Sequence, residues 1–436
     1  LNEWGVAYLA SSSYYIQVYE ILIPSLQDVA ANIYGFFSFF QIAPEQMITV
    51  LIIPLIFDVP RTVGKALFLI LNRAYERLVS AGDEPDPSFN PLVSIIVPAH
   101  NEEQVIERSI LSLLEQGYAR KEIIVVDDGS TDRTYQIADE FARKGLIKLV
   151  HREVPSGKKA RAVNHGIVFA QGEIVVTVDA DTLMEPMSLG RLVDPFCNPR
   201  IGAVSGNVRV LNHTNLLSKL QAYEYMLAME MGRRFQAISG MLMIIPGAAG
   251  AIRLKLAKSV GFYDPDTITE DFDITMKVHK TRMKVKFASD AIGWTVVPDS
   301  WRDWFRQRSR WTAGQLQTLI KHRNLFFERH FGRIGILAAP DMVLMDIILL
   351  FARTVWLLTL PLFYPGSVVQ LLVLIFFFYL FNEFTIAVAA VALSPRKGDI
   401  VYLLLAPIVV LFYRPLYGFV RMKAYFTEMT KGVSQW

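Results

Sequence analysis

The sequence predicts an α/β domain with a mostly parallel sheet, set between apolar and amphipathic helical segments. Three observations carry this expectation. The 436 residues are 52% hydrophobic with mean hydropathy +0.31, too apolar for an ordinary soluble protein, yet 19% charged, too polar for one lying wholly in a bilayer. The middle of the chain alternates β-branched runs with helical periodicity. The last quarter holds three long apolar runs. The net charge of +3 is small and no long basic run occurs, so nucleic acid is not expected as a partner. The single cysteine, Cys197, excludes an internal disulfide and a Cys-rich metal site and reads as a packed small hydrophobe. The seven histidines show no metal-ligand spacing. A first residue of Leu1 is what a trimmed terminus would give.

Residues 1–79 read as N-terminal membrane and interfacial helices. Within them, residues 1–33 are aromatic-rich and mildly apolar, whereas Tyr34 to Phe57 has Glu45 as its only formal charge and is long enough to span. Asp58-Val59-Pro60-Arg61 should break or kink that segment. Residues 80–91 form a linker in which Pro, Gly and acidic residues cluster without apolar period. Residues 92–300 form one α/β domain. Its strands are expected at Leu92–Val97, Glu122–Val126, Ile147–Val150 and Ile174–Val178. Helices are expected at Glu102–Gln116, Thr134–Lys144 and Ala160–Ala170. This alternation implies a mostly parallel sheet of nucleotide-binding type. Residues 301–335 are aromatic and basic, as in amphipathic helices at a headgroup region. Residues 336–436 hold apolar segments at about 336–360, 367–393 and 399–420. With the domain on the cytoplasmic side, Arg396 and Lys397 fall inside, as the positive-inside rule expects. Arg414-Pro415 interrupts the last segment, which should be kinked, re-entrant or interfacial. Asp341, Asp346, Arg353 and Glu383 lie within apolar segments. Charge is costly there, so these residues should pair between helices or face a wet path.

Four short charged signatures stand in order. Asp127-Asp128-Gly129 ends the second strand, where a carboxylate can accept from a nucleobase N–H or ribose hydroxyls; a turn followed by a helix cap is the plainer reading. Asp179-Ala180-Asp181 ends the fourth strand. Two carboxylates flanking one residue can hold Mg²⁺ or Mn²⁺ while phosphates supply further oxygens. Thr269-Glu270-Asp271 could simply open a helix with acidic residues in its first turn. In Gln307-Arg308-Ser309-Arg310-Trp311, two arginines suit a diphosphate and the indole offers a face to a sugar ring. Val97-Pro98-Ala99-His100-Asn101-Glu102-Glu103 follows the first strand with no glycine between Pro98 and Glu103. That counts against a dinucleotide fingerprint and leaves Asn101 as a candidate helix cap.

Taken together, these motifs and the apolar segments behind them resemble the membrane-embedded family 2 glycosyltransferases, the group of the cellulose, hyaluronan, chitin and poly-N-acetylglucosamine synthases. Gly202-Ala203-Val204-Ser205-Gly206-Asn207 through Trp311 resembles the poly-N-acetylglucosamine members most. The resemblance implies a GT-A nucleotide-sugar-binding domain with N- and C-terminal transmembrane and interfacial helices. It implies an integral protein of the plasma or inner membrane whose catalytic domain is cytoplasmic. The implied activity is inverting, processive transfer of a sugar, GlcNAc in the first instance, from a UDP-sugar to a growing polysaccharide that is exported through the membrane helices. The residues carry over one by one. Asp271 is the implied base, with Glu270 beside it. Pro98, Ala99, Glu102, Asp127, Asp128, Lys159, Asp179, Arg308 and Arg310 are the implied donor contacts. Lys159 belongs to a Lys159-Ala160-Arg161-Ala162-Val163-Asn164 segment like the family's, with Lys158 where a glycine often stands. Asp181, with Asp179, would hold Mg²⁺ or Mn²⁺, and Gln307 and Trp311 would shape the acceptor site. Three rivals are transfer of one sugar to a polyprenyl phosphate or other lipid, a transporter with a regulatory nucleotide-sugar-binding domain, and an inactive sensor. An accessory subunit is left open.

Overall fold

The computed structural model describes Gly35, residues 43–79 and residues 88–430. The interfacial segment expected at 1–33 and most of the linker therefore lie outside the described residues. Two compact units are present, one of the residues up to Asp58 with Val355–Tyr379, the other of Val59–Thr354 with the residues from Leu380 onward. The first is helical. Val50 and Leu51 pack with Leu360, Leu371, Leu374 and Ile375, and the Tyr379 hydroxyl donates to Asp58 at 2.9 Å.

The second unit contains an eight-stranded mixed sheet. Its strands are β1 Val93–Ala99, β2 Lys121–Asp128, β3 Lys148–Arg152, β4 Ile174–Thr177, β5 Leu183–Met184, β6 Ile201–Val210, β7 Gly250–Arg253 and β8 Lys284–Thr295. They lie in the order β3-β2-β1-β4-β7-β6-β8-β5. The first four strands run parallel, as expected. The second half of the sheet is mixed: β6 and β8 are parallel, whereas β7 runs antiparallel to both β4 and β6, and β5 antiparallel to β8. All ten residues of β6 are buried, including Ser205, Asn207 and Arg209. Its polar residues hide the apolar run that marks a central strand in sequence.

Helices flank the sheet: α1 Ile106–Leu114, α2 Thr134–Arg143, α3 Lys159–Val168, α4 Ser188–Val193, α5 Leu216–Leu227, α6 Leu254–Ser259 and α7 Glu270–Lys280. Val93, Ile95 and Val97 of β1 pack on the side of α1, while Ile96 packs on the side of α3 with Ala160, Val163 and Ile167. Each such fully buried aliphatic side chain contributes roughly 1.5–3 kcal/mol. Helix α1 starts four residues later than expected because Asn101 takes a left-handed conformation, φ 58°. Asn101 is thus no helix cap. Its side-chain oxygen instead accepts from the Thr131 amide at 2.8 Å, tying the β1 loop to the β2 loop.

Four helices among the described residues are long and apolar enough to cross a membrane: Glu45–Glu76, Ile334–Phe363, Val368–Leu393 and Lys397–Thr430. Asp58 to Arg61 does not end the first of them. A π turn occupies Pro54–Asp58 and the helix continues through Val59–Val79. The same device recurs. Pro60, Pro340 and Pro415 each follow a π turn, at Pro54–Asp58, Ile334–Ala338 and Val409–Tyr413 respectively, that contains the residue four positions earlier. A proline ring clashes with that carbonyl in a regular α-helix and leaves it without a donor, and the wider turn accommodates both. This accounts for the interrupted final segment, whose last stretch is α9 Arg414–Thr430.

The motif Gln307 to Trp311 lies on α8, Trp301–Lys321. The buried face of α8 packs on protein: Trp304 donates to Tyr413 at 3.0 Å, and Gln317 to Glu428 of α9 at 2.6 Å. The charges inside the apolar segments pair, as the structural reading of the sequence requires. Arg61 meets Asp341 at 3.1 Å, Arg421 meets Asp346 at 3.4 Å, and Arg414 meets Glu383 at 2.8 Å.

The loop between the last two apolar helices is held against the domain. Buried Arg209 of β6 bridges Glu230 at 2.5 Å and Asp399 at 3.0 Å. Arg396 meets Glu185 at 3.0 Å and lies over the Trp294 ring at 4.4 Å. An Arg209→Ala variant leaves buried Asp399 without a counter-charge and Glu230 with Arg234 alone, and should lose about 3 kcal/mol of stability. A thermal-unfolding scan in detergent measures this.

Candidate active site

In an open α/β sheet, ligands bind beyond the carboxyl ends of the strands, where the strand order reverses. Here β1 lies between β2 and β4, so the reversal falls between the ends of β1 and β4. The β1 end carries Pro98, Ala99 and Glu102; the β4 end leads into Asp179 and Asp181. Sheet register sets Ala99 beside Asp127 on β2.

The aspartates of the β2 end have separate duties. Asp128 accepts from the Ser156 amide at 2.9 Å and its hydroxyl at 2.6 Å, and pairs with Arg152 at 3.1 Å. It fixes the loop that leads into α3. Asp127 is fully buried; one oxygen pairs with His151 at 2.7 Å, and the other has no hydrogen-bond partner among the described residues. Asp127 therefore keeps a spare acceptor, whereas Asp128 is taken up by the protein.

The two lysines at the start of α3 make different contacts. Lys158 donates to the Pro265 carbonyl at 2.5 Å, while Lys159 forms an ion pair with Asp179 and lies 3.8 Å from Glu270. Gly247 permits this, because a Cβ there would stand 2.8 Å from the Lys159 nitrogen. Burial opposes the Lys159 charge, but Asp179, then Glu270 and Asp271, hold its pKa well above the ordinary lysine value. Thus one ammonium joins the β4-end aspartate to the first turn of α7.

Carboxylates outnumber cations around it. Burial, then Asp179, pushes Asp181 up to about 6. The Asp181 carboxylate accepts from the Thr182 and Thr295 hydroxyls, each at 3.3 Å. Burial, then Asp181 and Asp179, pushes Glu102 up to about 7. Asp271 is raised to about 6 by burial and then by Glu270, against the opposing charges of Lys159 and Arg233. Among the described residues no set of three or more His, Cys, Asp or Glu side chains is arranged to hold a metal ion by itself. Asp179 and Asp181 nevertheless fit a divalent cation whose other ligands come from a phosphate-bearing substrate. Their mutual repulsion is what such a cation relieves.

Helix α7 is positioned from below. Asp273, one turn into it, accepts from His322 and Lys321, each at 2.9 Å, and hydrogen bonds from these two hold its carboxyl down to about 2 against the effect of burial. Lys321 also grips Asp264 at 2.5 Å and Asp266 at 2.9 Å in the preceding turn. Thr269 seats directly on α8 at Gly314, where a Cβ would lie 2.6 Å from the threonine methyl. The acidic pair and the Gln307–Trp311 motif thus share one packed junction.

Within that motif the two arginines part company. Residues 308 and 310 are about 200° apart on a helix, so they do not converge on one diphosphate as the sequence reading has them doing. Arg308 is fully buried, pairs with Glu224 at 2.8 Å and sits 4.3 Å from the centre of the Trp311 ring. Its Nη groups bond within the fold, with Tyr413 donating to the same Glu224 oxygen at 2.5 Å, while its buried Nε has no hydrogen-bond partner among the described residues. Arg310 is exposed, and the Gln307 side-chain oxygen lies 3.5 Å from Arg308. Sequence reasoning missed Glu224, Gly247, Arg233 and Thr295. None carries a local pattern, and each gains its role from a partner far along the chain.

Known proteins share parts of this sequence and fold. The chain is similar to a poly-beta-1,6-N-acetyl-D-glucosamine synthase of Staphylococcus epidermidis, 32% identical over 255 residues, or 58% of this chain and 61% of that protein. It is also similar to a probable glycosyltransferase, YdaM, of Bacillus subtilis, 34% identical over 253 residues, 56% of this chain and 60% of that protein. The chain thus spans about 60% of the length of these curated relatives. A solved mannosyltransferase, PcManGT of Pyrobaculum calidifontis, in complex with GDP-Man and Mn²⁺, has a similar fold. The TM-score is 0.56 at 22% identity, covering 88% of this chain and 99% of that one. The family model of glycosyl transferase family 2 matches residues 94–261, from β1 past the β4-end aspartates to the end of α6. Residues 94–261 are a glycosyl transferase family 2 domain.

Proposed function

We propose that this protein transfers a sugar, with inversion, from a UDP-sugar to the hydroxyl end of a growing β-linked polysaccharide, and that the sugar is GlcNAc. The observation that carries this reading is the gathering of Asp179, Glu270 and Asp271 around the single ammonium of Lys159 at the sheet's reversal point. The name of the staphylococcal relative supports the choice of sugar.

The residues divide the work. The spare oxygen of Asp127 accepts from the base N–H, and Pro98 and Ala99 line the same end of β1. Asp181 and Asp179 would hold Mg²⁺ or Mn²⁺, which would supply charge neutralisation for the diphosphate. Lys159 adds a positive charge beside the same oxygens. Asp271 takes the proton from the acceptor hydroxyl as its oxygen bonds to the anomeric carbon; the bond from that carbon to the diphosphate breaks, and its electron pair leaves with UDP. A carboxyl raised toward neutrality is a better base than an ordinary aspartate, provided it is ionised. Glu270 contributes that upward shift. Trp311 presents its ring to the acceptor, and Arg308 fixes that ring, leaving Arg310 as the arginine free to meet the diphosphate. Processive growth and export through the helices complete the proposal, with the domain on the cytoplasmic side of a plasma or inner membrane. The docking of the 394–399 loop on the domain supports that orientation.

The direct test is UDP release by purified protein in nanodiscs with UDP-GlcNAc, UDP-glucose, UDP-glucuronate or UDP-galactose, with Mg²⁺ or EDTA. UDP-GlcNAc should give metal-dependent release and long products on a gel; release with products one sugar longer than a lipid acceptor would sink the polymer reading. Asp271→Asn should lower kcat by at least about 100-fold while donor binding by calorimetry persists. Because the deprotonated form acts, kcat should fall as pH drops through about 6 and level off above it. Asp181→Asn should weaken Mn²⁺ binding, read by electron paramagnetic resonance in the presence of UDP, by about tenfold or more. Gly314→Val should push Thr269 from its seat, lowering kcat more than it weakens donor binding.

A further inference from the structure

We infer that a cavity between the first long apolar helix and the domain binds the phosphate headgroup of an anionic membrane lipid. The cavity measures about 470 Å³ and is lined by Arg61, Gly64, Lys65, Phe68, Phe235 and Arg333, among others. This inference rests on reading the long apolar helices as membrane spans, and is independent of the sugar-transfer chemistry.

Three cations face one small space. Arg61 is balanced by Asp341 at 3.1 Å. Arg333 donates to the Ser239 carbonyl at 3.0 Å, which orients the guanidinium but does not neutralise it. Lys65 lies 5.1 Å from the centre of the Phe235 ring and has no ion-pair partner among the described residues. The site therefore keeps about two positive charges without an ion-pair partner, on the half-buried Lys65 and the exposed Arg333, and two such cations on one cavity favour an anion. The walls are otherwise apolar: Phe68 and Ile238 are each about 40% exposed. An apolar wall beside paired cations suits the boundary of headgroup and acyl chain better than a free solute.

Two features put the cavity at that level. Arg333 immediately precedes the span Ile334–Phe363. The first helix is nearly free of charge ahead of Asp58 and carries Arg61, Lys65, Arg73 and Glu76 beyond it. Both chains thus leave the apolar region where the cations converge. Gly64 faces open space, with no atom within 4 Å of the Cβ a substitution would add. A larger residue there would obstruct the cavity without a clash, and leucine favours a helix over glycine.

The test uses the full chain in phosphatidylcholine nanodiscs doped with phosphatidylglycerol, followed by native mass spectrometry after detergent exchange. The wild type should retain one phosphatidylglycerol per chain in preference to phosphatidylcholine. Gly64→Leu, and separately the double variant Lys65→Gln with Arg333→Gln, should retain at least about tenfold less, equivalent to roughly 1.4 kcal/mol, with thermal midpoints showing that each is folded. Equal retention by wild type and Gly64→Leu would overturn the inference, as would equal retention of the two lipids. Displacement of the lipid by millimolar inorganic phosphate would assign the site to a soluble phosphate instead, and overturn the membrane assignment.

Discussion

Excess negative charge at one end of a parallel sheet is the constraint on which the site depends. Asp179, Asp181 and Glu102 stand at the ends of β1 and β4, and the first turn of α7 adds Glu270 and Asp271. Burial, and then repulsion from neighbouring carboxylates, raises the carboxyls of Glu102, Asp181 and Asp271. Lys159 is the ammonium that holds the arrangement. Its location at the start of α3 follows from Asp128, whose hydrogen bonds to Ser156 fix the loop before it. The remaining repulsion is what the divalent cation of the proposed reaction would relieve.

A second set of interactions ties this charged end to the apolar helices. Buried or half-buried polar contacts join the domain to the apolar helices: Arg209 with Glu230 and Asp399, Arg308 and Tyr413 with Glu224, and the Tyr223 hydroxyl and Arg414 with Glu383. Such pairs contribute little net stability relative to apolar packing, but each tolerates only one partner geometry. They set register between α5, α8 and the helices around them. The network of Asp273, Lys321 and His322 does the same for α7 against the end of α8. Helix α8 thus contacts both the last apolar segment and the helix that carries the proposed base.

Much of this was legible in the linear chain. The four parallel strands, the acidic ends of β2 and β4, the acidic start of α7 and three of the four long apolar helices follow from periodicity and motif order. The mixed half of the sheet was not legible, because β6 buries Ser205, Asn207 and Arg209 and so lacks an apolar run. The π turns before Pro60, Pro340 and Pro415 were not either: proline signals an interruption, but whether a helix ends or widens depends on what packs around it. The paired arginines of Gln307 to Trp311 look alike on paper, and helical rotation separates them.

The sequence alone determined the order of the chemical groups and the strand ends on which they sit, because a strand's alternation and a helix's period are local properties. The tertiary structure decided which groups meet. Lys159 rather than Lys158 reaches Asp179, Asp127 rather than Asp128 keeps a spare oxygen, and Arg308 serves Glu224 while Arg310 stays exposed. Each of these choices depends on a neighbour many residues away, and on the burial that makes an unpaired charge costly.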